Sequence, residues 1–154
     1  MLRSILGVVA GYLALVFFMF VVFTLLYLAL GVDGAYKPGS YEVSGLWLGL
    51  SIIVGFAAAT VGGVVAVLAS GKQQAAIGLV GAVLVLGALG AMGVAQQNRE
   101  GPPPAREADV SIADAMQNSR QPLWVAILNP FIGAVGVMTG AQLVARRQRP
   151  TPHD

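Results

Sequence analysis

Residues 43–71 read VSGLWLGLSIIVGFAAATVGGVVAVLASG and contain no Asp, Glu, Lys, Arg or His. A hydrocarbon core about 30 Å thick is crossed by about 20 apolar residues rising about 1.5 Å each, so this stretch is long enough to span a bilayer. Lipid offers the backbone no hydrogen-bond partner, and a run of this length satisfies its own N–H and C=O groups as a helix. The stretch therefore predicts a transmembrane helix.

Three further stretches lack ionisable side chains, namely residues 4–31, 73–98 and 121–145. Only 10% of the chain is charged, against about 25% in a soluble domain, which leaves too few polar side chains to coat a globule in water. The first stretch is about twice as long as a signal-peptide core, so we expect it to be retained. We predict a single all-α integral membrane domain over residues 1–154, an up-down bundle of four helices at about 4–31, 43–71, 73–96 and 121–145.

The positive charges predict how the bundle is oriented. Lys and Arg close to helix ends are retained on the cytoplasmic side. In an up-down bundle Arg3 and Lys72 lie at the same end as the cluster Arg146, Arg147 and Arg149. We therefore expect a multi-pass protein of the cytoplasmic (inner) membrane with both termini cytoplasmic, and a composition rich in Ala, Gly and Val is compatible with a bacterial source.

Two tryptophans follow the predicted outer loops. Trp47 and Trp124 each stand near the start of a helix that runs inward in this arrangement. A flat apolar ring with one polar edge prefers the membrane–water interface. Both residues are therefore predicted to be interface anchors.

The connection at residues 97–120 is the longest predicted loop. It contains Pro102-Pro103-Pro104, which favours an extended backbone because each ring fixes φ and removes a donor. Ser111 followed by Asp114 is typical of a helix N-cap with an acidic first turn, and Ala115 and Met116 would share a face with Ile112. The loop is expected to hold a short interfacial helix, or alternatively to be a polar loop without regular structure.

Small residues recur at helical spacing. Helices in lipid associate closely where small side chains let their backbones approach. The candidate helix-packing or partner contacts are Gly7, Gly11, Gly55, Ala59, Gly63, Gly133, Gly136 and Gly140. Two interpretations stay open, because these residues either hold the bundle itself together or present one face to a partner or another copy.

The two tryptophans also suggest an internal repeat. The shift that aligns Trp47 with Trp124 places Gly63 on Gly140. Two duplicated helical hairpins would give this pattern, although a preference of tryptophan for the interface would align the tryptophans by itself.

Asn129-Pro130 is the one irregular dipeptide inside a predicted span. Proline removes a backbone hydrogen bond and clashes with the preceding turn, so a kink is expected. Asn129 either supports that kink or bonds a neighbouring helix, or it forms a polar spot for a lipid, a pigment or a solute.

The ionisable groups needed for membrane chemistry are missing from the four stretches. A coupled transporter binds its proton or ion on such a group, and the chain has no cysteine and a single histidine, His153, in its tail. We predict no catalytic residue, no cofactor and no metal site, and therefore no enzyme.

Elimination leaves two functional hypotheses. The first is a non-catalytic accessory or structural subunit that packs against partner helices in a larger membrane complex. The alternative is a passive channel or carrier for a small neutral solute or lipid, with Asn129, Ser51, Thr60 and Thr139 lining a polar path. The expected partners are the lipid bilayer and other integral membrane proteins or copies of the chain itself, and no nucleic acid is expected.

Overall fold

A computed structural model describes residues 2–101, 105–106 and 110–147, with backbone only at 112–113. The helices are α1 Leu2–Ala35, α2 Gly45–Ser70, α3 Gln73–Arg99, α4 Ile112–Gln117 and α5 Leu123–Arg147. The described part of the chain is otherwise loop and isolated bridges, and α1, α2, α3 and α5 are long and apolar enough to cross a membrane. The prediction of an all-helical chain with four such helices is confirmed. Predictions for the triple proline, Arg149 and His153 lie outside the described residues.

Local chemistry sets the ends of α1 and α2. Helical geometry in α1 breaks at Gly31, with φ 65° and ψ −176°, a conformation that side-chain-bearing residues rarely adopt. One further helical turn carries α1 to Ala35. Ser44 caps α2, because its Oγ accepts a 3.1 Å hydrogen bond from the Trp47 amide. Gly71, at φ 67°, ends α2 in the left-handed conformation.

Helices α2 and α5 lie side by side and run in the same direction. A Cβ on Gly136 would lie 2.8 Å from the Ala59 Cβ, and one turn further along a Cβ on Gly140 would lie 2.9 Å from the Val64 nitrogen. Side-chain-bearing residues could not approach this closely without moving the backbones apart. The glycines therefore set the separation of the two helices.

This contact is reciprocal. A Cβ on Gly63 would overlap the Val137 carbonyl oxygen, and a Cβ on Gly140 would overlap the Thr60 carbonyl oxygen. The shift that aligns the two tryptophans also places Gly63 on Gly140 and Thr60 on Val137. Each helix thus contributes the same pair of positions to the interface.

Helix α1 packs against α2 in the opposite direction. A Cβ on Gly7 would lie 2.6 Å from the Ala66 oxygen, and a Cβ on Gly11 would lie 2.6 Å from the Gly62 oxygen. Leu79 of α3, which is fully buried, closes this contact at 2.9 Å from the same position on Gly11. We name the end of the bundle at which these contacts lie the tight end.

Helices α3 and α5 also pack in opposite directions. The Gln73 amide donates a 3.0 Å hydrogen bond to the Ala141 carbonyl at the tight end. Further along, a Cβ on Gly133 would lie 2.9 Å from Val83.

The loops at the other end join into one folded layer, which we name the cap (residues 36–44, 105–106 and 110–122). Two backbone hydrogen bonds tie its loops together, Val43 N–H to Arg120 O at 3.1 Å and Arg120 N–H to Tyr41 O at 2.9 Å. The Tyr36 hydroxyl donates a 3.0 Å hydrogen bond to the carbonyl of Ala115 in α4. The two ends of the bundle are therefore closed by different means, close helix packing at one and paired loops at the other.

Helix α4 belongs to the cap. The Ser111 Oγ accepts a 3.2 Å hydrogen bond from the Asp114 amide, which is the N-cap contact expected from the sequence. Ala115 is fully buried, whereas Met116 is 61% exposed and lines the cavity described below. Ala115 packs beneath Tyr36 in the interior of the cap.

Candidate binding cavity

A cavity of about 1020 Å³ lies between α1, α2, α3 and α5, on the cap side of the tight end. Pockets for small molecules occupy about 300–1,000 Å³, so this one is large for a bundle of this size. Its lining on α3 runs from Val83 to Gln97, which is about 21 Å at 1.5 Å per residue. One leaflet of hydrocarbon is about 15 Å deep. The cavity is long enough for an extended chain of a membrane lipid.

Helices α1 and α3 pack closely at the tight end, whereas small residues line the space between the helices toward the cap. A Cβ on Gly78 of α3 would lie 2.8 Å from Val8 of α1. Toward the cap, the lining includes Gly55, Gly90 and Ala91. A Cβ on Gly55 or on Gly90 would meet nothing within 4 Å, so these two glycines leave empty space that any larger side chain would enter.

The cavity is partly open to the outside of the bundle. Its exposed apolar lining side chains include Val16 43%, Phe20 70% and Leu28 70% from α1, Leu86 46% from α3 and Met116 61% from α4. Those of α1 and α3 belong to membrane-length helices. The opening is therefore accessible to hydrocarbon.

An aromatic cluster of α1 and α2 lies at the cap end of the cavity. The Trp47 ring lies 5.3 Å from the Tyr27 ring and 5.5 Å from the Phe23 ring, measured between centroids, and all three side chains line the cavity. Trp47 is half-buried in this cluster, whereas Trp124 is 57% exposed on the surface. The two predicted interface anchors thus lie in different surroundings.

Polar atoms along the wall fall into two groups. The Ser51 hydroxyl donates to the Leu48 carbonyl at 2.9 Å, and the Thr24 hydroxyl donates to the Phe20 carbonyl at 2.7 Å, so both are satisfied within their own helices. The Tyr27 hydroxyl is buried beside Tyr36, whose ring centroid lies 6.3 Å from that of Tyr27, and it makes no hydrogen bond of standard geometry among the described residues.

The four residues expected to line a polar path do not come together. Asn129 and Ser51 line the cavity, but Thr60 and Thr139 do not. The Thr60 hydroxyl donates to the Phe56 carbonyl at 2.9 Å, and the Thr139 hydroxyl donates to its own helix at 2.9 Å. The polar side chains along α2 and α5 therefore form no single lining.

The small residues predicted as packing contacts occupy two environments. Six of them lie at the close helix contacts described above: Gly7, Gly11, Ala59, Gly63, Gly136 and Gly140. Gly133 packs against Val83 of α3 and also lines the cavity. Gly55 lines the cavity without contacting a neighbouring helix. Gly55 thus differs from the others, because its Cβ position faces open space and not a neighbouring helix.

Pro130 contributes to the cavity wall next to Asn129. Helix α5 continues through Pro130, whose ring occupies the space that a side chain on Gly87 of α3 would need. Asn129 is exposed and lines the cavity. The sequence singled out this dipeptide but not Gly87. A glycine that accommodates a proline ring of another helix has no recognisable local pattern.

The chemistry that the cavity offers is hydrophobic contact with a few hydrogen bonds. Its described lining contains no Asp, Glu, Lys, Arg or His. No protein-family model, curated protein or solved structure matches this chain. A long apolar wall that is partly open to the outside, with polar groups at the cap end, fits an amphiphile better than a water-soluble molecule.

Proposed function

We propose that this chain is a non-catalytic membrane protein that binds the apolar chain of a lipid or lipid-like molecule in the cavity. The observation that carries the proposal is the exposed apolar part of the cavity lining on α1 and α3, which includes Phe20 and Leu86. Chains in the surrounding bilayer reach this lining without crossing water. Of the two ligand classes in the carrier hypothesis, we propose the lipid, because the lining is mostly apolar and Thr60 and Thr139 do not belong to it.

The proposal includes an orientation. In an up-down bundle with both termini cytoplasmic, Arg3, Lys72, Arg146 and Arg147 gather at the tight end on the cytoplasmic side. The cap then faces outward, and the cavity lies in the outer leaflet of the inner membrane. A reporter fused after Asp154 is expected to read as cytoplasmic, and activity on the outer side would overturn the orientation.

Filling the cavity tests the proposal. A leucine at Gly55 would project into space where no atom lies within 4 Å, whereas a leucine at Gly49 on the same helix would enter open surroundings outside the cavity. Both variants are made in a Trp124→Phe background, so that Trp47 is the remaining tryptophan. The protein is reconstituted in phosphatidylcholine vesicles that contain phosphatidylcholine brominated near the head-group end of the chain.

Bromine quenches tryptophan at close range, so a chain inside the cavity quenches Trp47. We expect strong quenching with the native glycines and with Gly49→Leu, and at least a twofold loss of quenching with Gly55→Leu. Equal quenching in both leucine variants would mean that the bromines act from the bulk bilayer, and the proposal would fail.

A second candidate function is the accessory subunit, and one face of α3 favours it. Gly81 and Gly93 lie on an exposed stripe with Val85 and Leu89, which are 62% and 59% exposed. A Cβ on either glycine would meet nothing within 4 Å, so a helix of a partner could approach closely there.

Purification from native membranes in a mild detergent separates the two candidates. An accessory subunit is expected to co-purify with partner proteins, and Gly81→Leu or Gly93→Leu should release them while leaving Trp47 quenching intact. Recovery of the native chain only as a lone monomer would count against a partner.

A further inference from the structure

We infer that a groove between α2 and α5 at the tight end binds an anionic phospholipid, with Arg147 as the residue that contacts its phosphate. The groove shares no described lining residue with the cavity. It is therefore a second lipid site, and the inference does not depend on what the cavity holds.

The first observation is the shape of the groove. Its volume is about 340 Å³, and it begins where the two helices touch, since a Cβ on Gly140 would lie 2.9 Å from the Val64 nitrogen. From Gly140 to Arg147 the helix rises about 10 Å at 1.5 Å per residue. Two residues of α2 and three of α5 line the groove: Val64, Leu68, Leu143, Val144 and Arg147. The groove is thus apolar along its length and cationic at the end of α5.

The second observation is the depth of Arg147. Helix α5 ends at this residue, and residues 121–145 carry no charge. The guanidinium therefore lies where the apolar span meets water, which is the depth of a phospholipid phosphate. Leu68 and Leu143 are 62% and 47% exposed, so an acyl chain below that phosphate would lie against apolar side chains.

The third observation is the balance of charge. The described charged side chains at the tight end are all cationic, namely Arg3, Lys72, Arg146 and Arg147. The described carboxylates lie in the cap or at helix ends beside it: Asp33, Glu42, Glu100 and Asp114. Arg147 forms no salt bridge within the described ranges. Residues 148–154 add one arginine and one aspartate to the sequence, so this end keeps its positive balance. An anion from the membrane can supply the missing counter-charge.

The groove separates a lipid site from a simple topology anchor. An anchor needs only positive charge near the helix end, and Arg146 and Arg147 would serve equally. Arg147 lines the groove, whereas Arg146 does not. A guanidinium binds phosphate oxygens through paired, charge-assisted hydrogen bonds, so Arg147 above an apolar floor matches an anionic phospholipid.

A tryptophan at Leu68 reports on the groove. Leu68 is 62% exposed, so the larger ring fits at the rim. The matched control is Ile77→Trp on α3, because Ile77 is also 62% exposed and lies outside the groove. Each position lies within four residues of the end of its helix. Both reporters carry Trp47→Phe and Trp124→Phe, so that each protein has a single tryptophan.

Two lipids with identical brominated chains are compared in vesicles of unbrominated phosphatidylcholine. Phosphatidylglycerol is the anionic probe and phosphatidylcholine the zwitterionic one. The groove is smaller than the cavity, so its lipid is expected to exchange with the bilayer and is measured there. We expect half-maximal quenching of Leu68→Trp at about a fivefold lower mole fraction of phosphatidylglycerol, the effect of one arginine beside an anionic head group. Ile77→Trp should show a clearly smaller preference. Equal preference at both reporters would reflect general attraction to the basic end and would overturn the inference.

Substitutions assign the preference to one arginine. Arg147→Gln should lower the preference at Leu68→Trp to that of the control reporter, whereas Arg146→Gln should leave it unchanged. Arg147→Lys should retain part of it, because lysine binds phosphate as a point charge. A native far-ultraviolet circular dichroism spectrum shows that each variant is folded. Equal losses in Arg146→Gln and Arg147→Gln would overturn the inference.

The outcomes are separate from those of the cavity. Equal midpoints for the two lipids at Leu68→Trp would overturn the groove site and leave the quenching of Trp47 by cavity lipid standing. Gly55→Leu should leave the preference at the groove unchanged, and its loss in that variant would mean that the reporter reads the cavity. Inorganic phosphate should have no effect beyond that of chloride at equal ionic strength. Loss of the preference in phosphate alone would indicate a free-anion site and overturn the lipid assignment.

Discussion

Replacing Gly63 by alanine should loosen the contact between α2 and α5. A Cβ at this position would overlap the Val137 carbonyl oxygen and lie 2.8 Å from the Val137 carbonyl carbon. The obstacle is backbone, which cannot rotate away, so the two helices must separate locally. Overpacking of this kind costs about 1–3 kcal/mol.

Gly49→Ala is the matched control on the same helix. A Cβ there would meet nothing within 4 Å, and alanine is intrinsically the better helix former by about 1 kcal/mol. Because this gain is common to both variants and cancels, they should differ by the overpacking alone, about 1–3 kcal/mol in free energy of unfolding. The measurement is unfolding in mixed micelles with increasing dodecyl sulfate, followed by far-ultraviolet circular dichroism.

The reciprocity of the contact adds a further expectation. Gly140→Ala places its Cβ against Thr60 in the equivalent way, so its effect should match that of Gly63→Ala. The double variant should cost less than the sum, because one separation of the helices relieves both overlaps. Equal stability of Gly63→Ala and Gly49→Ala would refute the reasoning.

Three smaller changes probe other parts of the fold. Tyr36→Phe removes the 3.0 Å hydrogen bond to Ala115 and should cost about 1 kcal/mol, detected as faster amide exchange in α4 with unchanged exchange at the tight end. Pro130→Ala restores a backbone donor in α5 and should straighten the helix and shift the emission of Trp124 when the other tryptophan is phenylalanine; unchanged emission would contradict this. Ser70→Ala removes a buried hydroxyl that donates at 2.7 Å to its own helix and accepts from the turn to α3 at 3.1 Å; a loss of about 1 kcal/mol in unfolding free energy is expected.

The spans could be predicted because length and lack of charge are local properties. Predicted helices at 73–96 and 121–145 correspond to Gln73–Arg99 and Leu123–Arg147. The extra helical turn after Gly31 was missed, since a glycine at positive φ looks the same in sequence as a glycine that ends a helix.

The cavity could not be predicted, because it depends on where neighbouring helices diverge. Gly55 and Gly63 stand at the same helical spacing in one stripe, yet one faces empty space and the other faces the backbone of α5. The cap could not be predicted from the sequence either. Tyr36 and Ala115 are joined across 79 positions of the chain, and no local pattern specifies that contact.

The most direct test of the lipid-binding account is native mass spectrometry of the protein released from mild detergent. The native chain is predicted to carry one tightly held phospholipid, and Gly49→Leu should carry the same adduct. Gly55→Leu, with its side chain in the cavity, should appear without it. A native chain that appears bare, or an adduct retained equally by Gly55→Leu, would contradict the account.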